Sequence, residues 1–165
     1  MSGAFDDLLA ANERYARSFQ LSGFDGVAHA GIAMVTCMDS RIDPLGMLGL
    51  APGDAKILRN AGGRVTERAL ASLVLGVHLL GVRRILVVAH TRCAVASSTA
   101  AELRAAVATA SGRDASSLDV PVVDDQTAAL RDDVAVVRAH ALMPADVSVG
   151  GFRYDVDTGR LHQLA

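Results

Sequence analysis

Two short apolar runs limit the fold of this chain more than any other feature. Residues 31–36 and 84–89 are almost wholly apolar and contain β-branched side chains. Short runs of this kind are typical of buried strands. Residues 55–59, which lead into a glycine-bearing turn, predict another strand. Because buried strands need helices to cover them, the chain is expected to adopt an α/β fold.

Helical patterns lie between these runs. Ser2 can cap a first helix, whose apolar side chains recur at three- and four-residue steps. Thr66 is expected to cap a second helix over residues 67–80, which is apolar on most of its circumference. Both helices have more apolar surface than one sheet face can cover, so we expect a homodimer or a dimer-based oligomer.

The other predicted elements complete an alternating order. They are a short helix at 44–50, helices over 94–110 and 124–144, and strands over 147–156 and 161–164. This order predicts a mostly parallel sheet of about four strands plus a C-terminal hairpin strand, flanked by helices. The chain is expected to be a single domain, residues 1–165, with an N-terminal helical arm at about residues 2–20.

Composition and charge exclude several classes of function. The net charge of −2, with mixed signs, gives no reason to expect nucleic acid as a partner. The longest apolar stretch, residues 69–80, is shorter than the ~20 residues that a membrane span needs, so we expect no membrane partner. Acidic residues near the N-terminus are unlike a secretory signal, and the expected location is cytoplasmic. The 2 cysteines are too few for a disulfide scaffold.

Three metal-binding side chains follow the two clearest strands. Cys37 comes at the end of the first apolar run, and His90 and Cys93 come at the end of the later one. Because functional sites in parallel sheets gather at the carboxyl ends of strands, we expect these side chains to meet. Two thiolates and an imidazole are a ligand set that zinc favours, with one tetrahedral position left over. Asp39 and Arg41 lie nearby in sequence, so the carboxylate either closes that position or is held off it by the arginine.

The same residues resemble the β-class carbonic anhydrase family. Residues 37–41 read Cys-Met-Asp-Ser-Arg and residues 90–93 read His-Thr-Arg-Cys, which match the family's Cys-x-Asp-Ser/Ala-Arg and His-x-x-Cys patterns. Residues 59–62 are similar to its Arg-Asn-Ala-Gly segment, and residues 150–159 to its C-terminal hairpin. The resemblance thus extends over nearly the whole chain.

This resemblance implies a role for each site residue. Cys37, His90 and Cys93 would bind zinc, and Asp39 would be either the fourth ligand of a closed site or the residue that orients a zinc-bound hydroxide in an open one. Arg41 would be the partner of Asp39. The implied activity is the reversible hydration of carbon dioxide to bicarbonate and a proton, and the implied assembly is a dimer or a larger set of dimers.

Several other functions stay open, and a departure from the family pattern supports the first of them. Many relatives have Asp-Cys-Gly where this chain has Arg92, Cys93 and Ala94. One alternative is a weak or inactive zinc- or anion-binding homologue with Asp39 closing the site. A second is a hydrolase of another small linear substrate such as carbon disulfide, and a third is a thiol redox protein that pairs Cys37 with Cys93.

The remaining candidate residues have plainer interpretations. Residues 60–63 are more typical of a turn than of an anion cradle. The other histidines lack ligand spacing and are interpreted as surface or core residues; His78 is the one on the apolar helix, where a core position is one of the two options. These histidines are His29, His78, His140 and His162.

Overall fold

A five-stranded sheet organises the chain in the computed structural model, which describes residues 3–165. Its strands are β1 (Ile32–Cys37), β2 (Ala55–Asn60), β3 (Arg84–His90), β4 (Ser148–Tyr154) and β5 (Leu161–Gln163). They lie in the order β2-β1-β3-β4-β5; the first four are parallel, and β5 runs antiparallel to β4. The predicted α/β fold with a C-terminal hairpin strand is therefore confirmed.

Helices precede and connect the strands. They are α1 (Asp6–Ala16), α2 (Glu67–Leu79), α3 (Ala100–Ser111) and α4 (Gln126–Ala139). The cap predicted for α2 is present, because the Thr66 hydroxyl accepts a hydrogen bond from the Ala69 N–H at 3.2 Å. The Ser2 cap predicted for the first helix lies outside the described residues. No helix within residues 3–165 has the length and apolar character needed to span a bilayer.

The region predicted as one helix over 94–110 divides in two. A 3-10 turn at Ala94–Ala96 comes first, and α3 starts only after Thr99. The Thr99 hydroxyl accepts from the Glu102 N–H at 3.2 Å, while the Glu102 carboxylate accepts from the Thr99 N–H at 2.7 Å. This capping box begins a new helix at a point that apolar periodicity does not mark.

α2 and α4 cover one face of the sheet. Leu73 and Val77 of α2 are buried in one cluster with β-strand valines and with Val134 and Val137 of α4. The outer side of α2 is exposed, and His78 takes the surface position of the two that the sequence left open: its Nε2 lies 2.7 Å from the Leu142 carbonyl. A hydrogen bond near the helix end satisfies this histidine without burial.

The sheet order reverses next to β1. From β1 the chain passes to β2 on one side, and it then crosses to β3 on the other side. All six residues of β1 are buried, since strands flank it on both sides. In parallel sheets a crevice forms at the carboxyl ends of the strands on either side of such a reversal. Cys37 ends β1 and His90 ends β3, so both residues lie at this crevice.

Candidate metal centre

The structure brings the three predicted metal ligands together. One ligand atom from each of Cys37, His90 and Cys93 lies within 4.8 Å of the other two, and all three residues are buried. Parallel pairing of β1 with β3 brings the carboxyl ends of the two strands, where Cys37 and His90 lie, next to each other. A tight turn after His90 then brings Cys93 back, with Arg92 at a φ of 54°. No other group of three such side chains with this spacing occurs in residues 3–165.

The His90 ring is oriented as a metal ligand requires. Its Nδ1 lies 2.9 Å from the Thr91 carbonyl, which can only accept, so Nδ1 carries the proton and Nε2 has a free lone pair. Nε2 is buried and has no hydrogen-bond partner among the described residues. Burial lowers the pKa of His90, so the ring is neutral at pH 7. A buried nitrogen acceptor without a partner costs about 1–3 kcal/mol, a cost that a bound metal ion removes.

The two thiols complete a donor set that suits zinc. Cys37 and Cys93 are both buried and both free of disulfides. Burial raises the pKa of the Cys93 thiol, so an ion that binds there must displace a proton. Two thiolates would balance the charge of a divalent ion, and soft sulfur with imidazole nitrogen is a combination typical of zinc sites.

Asp39 is held beside this cluster by Arg41. Arg41 Nε donates to Asp39 Oδ1 at 2.9 Å, and Nη2 donates to Oδ2 at 2.6 Å. The Arg41 main-chain N–H donates to Oδ1 as well, at 3.0 Å. These hydrogen bonds hold the pKa of the Asp39 carboxyl well below its usual range, so it is ionised. Asp39 Oδ2 lies 4.0 Å from His90 Nε2, at the edge of the donor cluster, with both oxygens engaged by Arg41.

Comparisons with known proteins agree with this arrangement. A family model described as carbonic anhydrase matches residues 32–114. Beta-carbonic anhydrase 1 of Mycobacterium tuberculosis is 34% identical over 163 residues, which cover 96% of each chain. The chain belongs to the β-carbonic anhydrase family.

Two further relatives show which other proteins this family member resembles. The crystal structure of the carbonic anhydrase from Streptococcus mutans superposes with a TM-score of 0.87 at 37% identity, covering 100% of this chain and 99% of that one. A protein named carbon disulfide hydrolase, from an Acidianus species, is 33% identical over 154 residues. The match covers 79% of this chain and 75% of that protein. The family thus includes proteins named for two different small substrates.

The unusual Arg92 of this family member does not leave an unbalanced cation beside the donor cluster. Its guanidinium pairs with the Asp157 carboxylate in the turn between β4 and β5. Its main-chain carbonyl accepts a hydrogen bond from Arg41 Nη2 at 3.2 Å. Arg92 therefore contributes to the site through its backbone, which supports Arg41, while Asp157 balances its charge.

The glycine-bearing turn after β2 packs directly against the ligand strands. The Asn60 amide closes this turn: Nδ2 donates to the Arg64 carbonyl and Oδ1 accepts from the Arg64 N–H, both at 2.8 Å. Gly63 has a φ of +66°, and a Cβ atom there would lie 2.8 Å from the Cys37 nitrogen. These contacts fit a supporting turn. Sequence reasoning missed its relation to Cys37, and the consecutive glycines at 62 and 63 were the available signal.

The other histidines take no part in the cluster. His29 Nε2 lies 3.1 Å from Asp25 Oδ1, and His140 Nδ1 accepts from the Leu142 N–H at 3.2 Å. His78 bonds to a carbonyl at the surface, and His162 is exposed on β5. The interpretation of these residues as ordinary histidines agrees with their positions.

Proposed function

We propose that this protein is a zinc-dependent carbonic anhydrase, which hydrates carbon dioxide reversibly to bicarbonate and a proton. The observation that carries the proposal is His90 Nε2, a buried acceptor with no hydrogen-bond partner within residues 3–165, on a ring that clusters with two buried thiols. When bound there, zinc would supply the Lewis acidity that lowers the pKa of a water from 15.7 toward about 7, which carbon dioxide hydration at neutral pH needs.

The protein's own residues have separate tasks in this proposal. Cys37 and Cys93, as thiolates, and His90, through Nε2, would hold the metal. The Thr91 carbonyl, 2.9 Å from His90 Nδ1, fixes the ring tautomer and its orientation. Asp39 stays ionised and would accept a hydrogen bond from the activated water that attacks carbon dioxide.

Arg41 keeps the site in its open form. Both Asp39 oxygens are engaged by the Arg41 guanidinium, at 2.9 and 2.6 Å. A bidentate, charge-assisted pair of this kind is strong and directional, so it competes with coordination of the carboxylate to the metal. This geometry favours an active enzyme over the closed, inactive homologue in which Asp39 is the fourth ligand.

Hydrolysis of carbon disulfide is the second candidate function. Its support is the 33% identity to the Acidianus protein of that name. Both substrates are small, linear and without charge, and both need a nucleophile activated at the same place. The redox alternative has less support, because Cys37 and Cys93 are free thiols beside a histidine that is oriented for metal binding.

The deciding experiment measures carbon dioxide hydration across pH together with zinc content on the same sample. We expect one zinc per chain and an activity that rises with pH. Carbon disulfide turnover is measured in parallel as the control for the second function. A protein that holds stoichiometric zinc and hydrates carbon dioxide at no pH would contradict the proposal.

We also propose that the protein acts as a homodimer in the cytoplasm. α1 buries none of its residues, and the sheet face away from α2 carries an open groove of about 440 Å³ lined by Leu48, Leu86 and Phe152. The apolar stripe of α1 and the apolar part of this groove lie on the same chain, so two copies related by a two-fold axis can each cover the surfaces of the other. The cytoplasm is favoured because both ligand thiols must remain reduced.

A further inference from the structure

Arg59, at the end of β2, contacts the loop that carries half of the metal centre. Its Nε donates to the Cys37 carbonyl at 3.0 Å, Nη1 to the Ile42 carbonyl at 3.3 Å and Nη2 to the Asp39 carbonyl at 2.6 Å. We infer that Arg59 is a positioning residue for the metal centre, which fixes the main chain of residues 37–42. This inference rests on the proposed function, because the loop holds the ligand Cys37 and the Asp39–Arg41 pair.

The hydrogen bonds of Arg59 are directed at this loop. Its guanidinium forms no ion pair with a carboxylate among the described residues, and three of its nitrogens bond to three carbonyls within six residues of chain. The Asp39 carbonyl also accepts a hydrogen bond from the Ile42 N–H at 3.1 Å, which closes a turn. Arg59 therefore binds to a turn that the main chain already stabilises. A planar guanidinium can reach three separate acceptors at once, whereas a lysine ammonium acts from a single point.

The position of the Asp39 main chain decides what its carboxylate can reach. Asp39 Oδ2 lies only 4.0 Å from His90 Nε2 while Arg41 holds it. If the Asp39 carbonyl is released from Arg59, the loop can move and the carboxylate can turn from Arg41 toward the metal. Arg59 therefore acts on the coordination of the metal through residues 37–42 and does not touch the metal itself.

Arg83 provides a matched control. It is also an arginine whose guanidinium donates to main-chain carbonyls, those of Val77 at 3.1 Å and Val82 at 2.9 Å. It precedes β3, whereas His90 ends that strand, so it lies at the opposite end of the sheet from the metal centre. Loss of Arg83 should affect stability alone.

The experiment compares Arg59→Lys, Arg59→Met and Arg83→Met with the parent protein. Zinc affinity is measured by competition with a chromophoric chelator, metal geometry by the absorption spectrum of the cobalt-substituted protein, and stability by urea denaturation. Loss of partners that orient metal ligands typically lowers affinity by about 10- to 100-fold. We expect a loss in this range for Arg59→Met, a smaller one for Arg59→Lys, and an altered cobalt spectrum in both, while Arg83→Met keeps the parent affinity and spectrum.

The outcomes separate this inference from the proposed function. A parent protein that does not bind zinc contradicts the proposed function itself. A parent that binds zinc and hydrates carbon dioxide, with Arg59 variants of unchanged affinity and spectrum, overturns only the role of Arg59. A lower urea midpoint with an unchanged cobalt spectrum would also overturn it, because that result marks a purely structural role. If Arg59→Met does not fold, Arg59→Lys gives the same test.

Discussion

At the scale of single residues, His90 carries most of the case for a metal. Its Nδ1 bond to the Thr91 carbonyl leaves Nε2 as a buried acceptor, and burial lowers the pKa of the ring. The neutral ring is therefore the form present at pH 7, and it is also the form that binds a metal. Nε2 has no hydrogen-bond partner among the described residues, and the ligand atoms of the three residues lie within 4.8 Å of one another.

We expect Cys37→Ser to lose zinc. Serine replaces a soft thiolate with a hydroxyl that stays protonated at neutral pH, so one of the three ligands disappears. Elemental analysis of the purified variant measures the loss, and Met38→Leu, a change at the exposed neighbour, is the control that should keep its zinc. Full zinc content in Cys37→Ser would show that the ligand assignment is wrong.

Zinc affinity is expected to rise with pH through the neutral range. Burial raises the pKa of the Cys93 thiol, so without metal it keeps its proton at pH 7, and binding must release that proton. His90, with its lowered pKa, has no proton to release there. Each thiol proton that binding releases adds about a tenfold gain in affinity per pH unit. Chelator competition at several pH values tests this, and an affinity that is independent of pH would rule it out.

Arg41→Ala is expected to keep zinc and lose most carbon dioxide hydration. Without the guanidinium, Asp39 loses the partner that holds both of its oxygens, and the carboxylate becomes free to coordinate the metal. The absorption spectrum of the cobalt-substituted variant should change accordingly. Arg113→Ala, in an exposed loop, is the control. Near-normal activity of Arg41→Ala, or an unchanged cobalt spectrum, would mean that the pair is merely structural.

At the scale of elements, the sequence predicts best where one local pattern decides the structure. The runs at 31–36 and 84–89 are apolar enough to identify β1 and β3, and the ligand residues follow them at the strand ends. The start of α3 was missed because it depends on the side chain of Thr99 and not on apolar spacing. The contacts of Arg59 with the ligand loop were also missed, since they join segments about twenty residues apart that only the sheet brings together.

The turn after β2 gives a prediction that separates two effects of one methyl group. Gly63→Ala combines a strained φ of +66° with a Cβ atom 2.8 Å from the Cys37 nitrogen. Gly112→Ala is the control, because its φ is +65° and nothing lies within 4 Å of the new atom. The strained backbone alone costs about 1–2 kcal/mol. Gly63→Ala should therefore destabilise the protein more than Gly112→Ala, as measured by urea denaturation. It should also weaken zinc binding, as measured by chelator competition. Equal losses of stability and equal zinc affinity in the two variants would contradict the close packing at Gly63.

At the scale of the whole molecule, two apolar surfaces are left uncovered by the part of the chain that the structure describes. Leu8 and Leu9 of α1 are 61% and 62% exposed, although a helix that packs on its own chain would bury such a stripe. Phe152 lines the open groove on the sheet face that α2 leaves free. Both the stripe on α1 and the groove are apolar. In a dimer with a two-fold axis, α1 of each copy would cover the groove of the other copy.

We expect the parent protein to be a dimer by light scattering at micromolar concentration and Leu9→Glu to be a folded monomer. The introduced carboxylate would have to be buried without a partner at the interface, which opposes association. Ala10→Glu adds the same charge on the next residue, outside the apolar stripe, and should remain dimeric. A monomeric parent, or a dimeric Leu9→Glu, would refute the proposed interface. Because Cys37, His90 and Cys93 all come from one chain, the Leu9→Glu monomer should still bind one zinc, which distinguishes loss of assembly from loss of the metal centre.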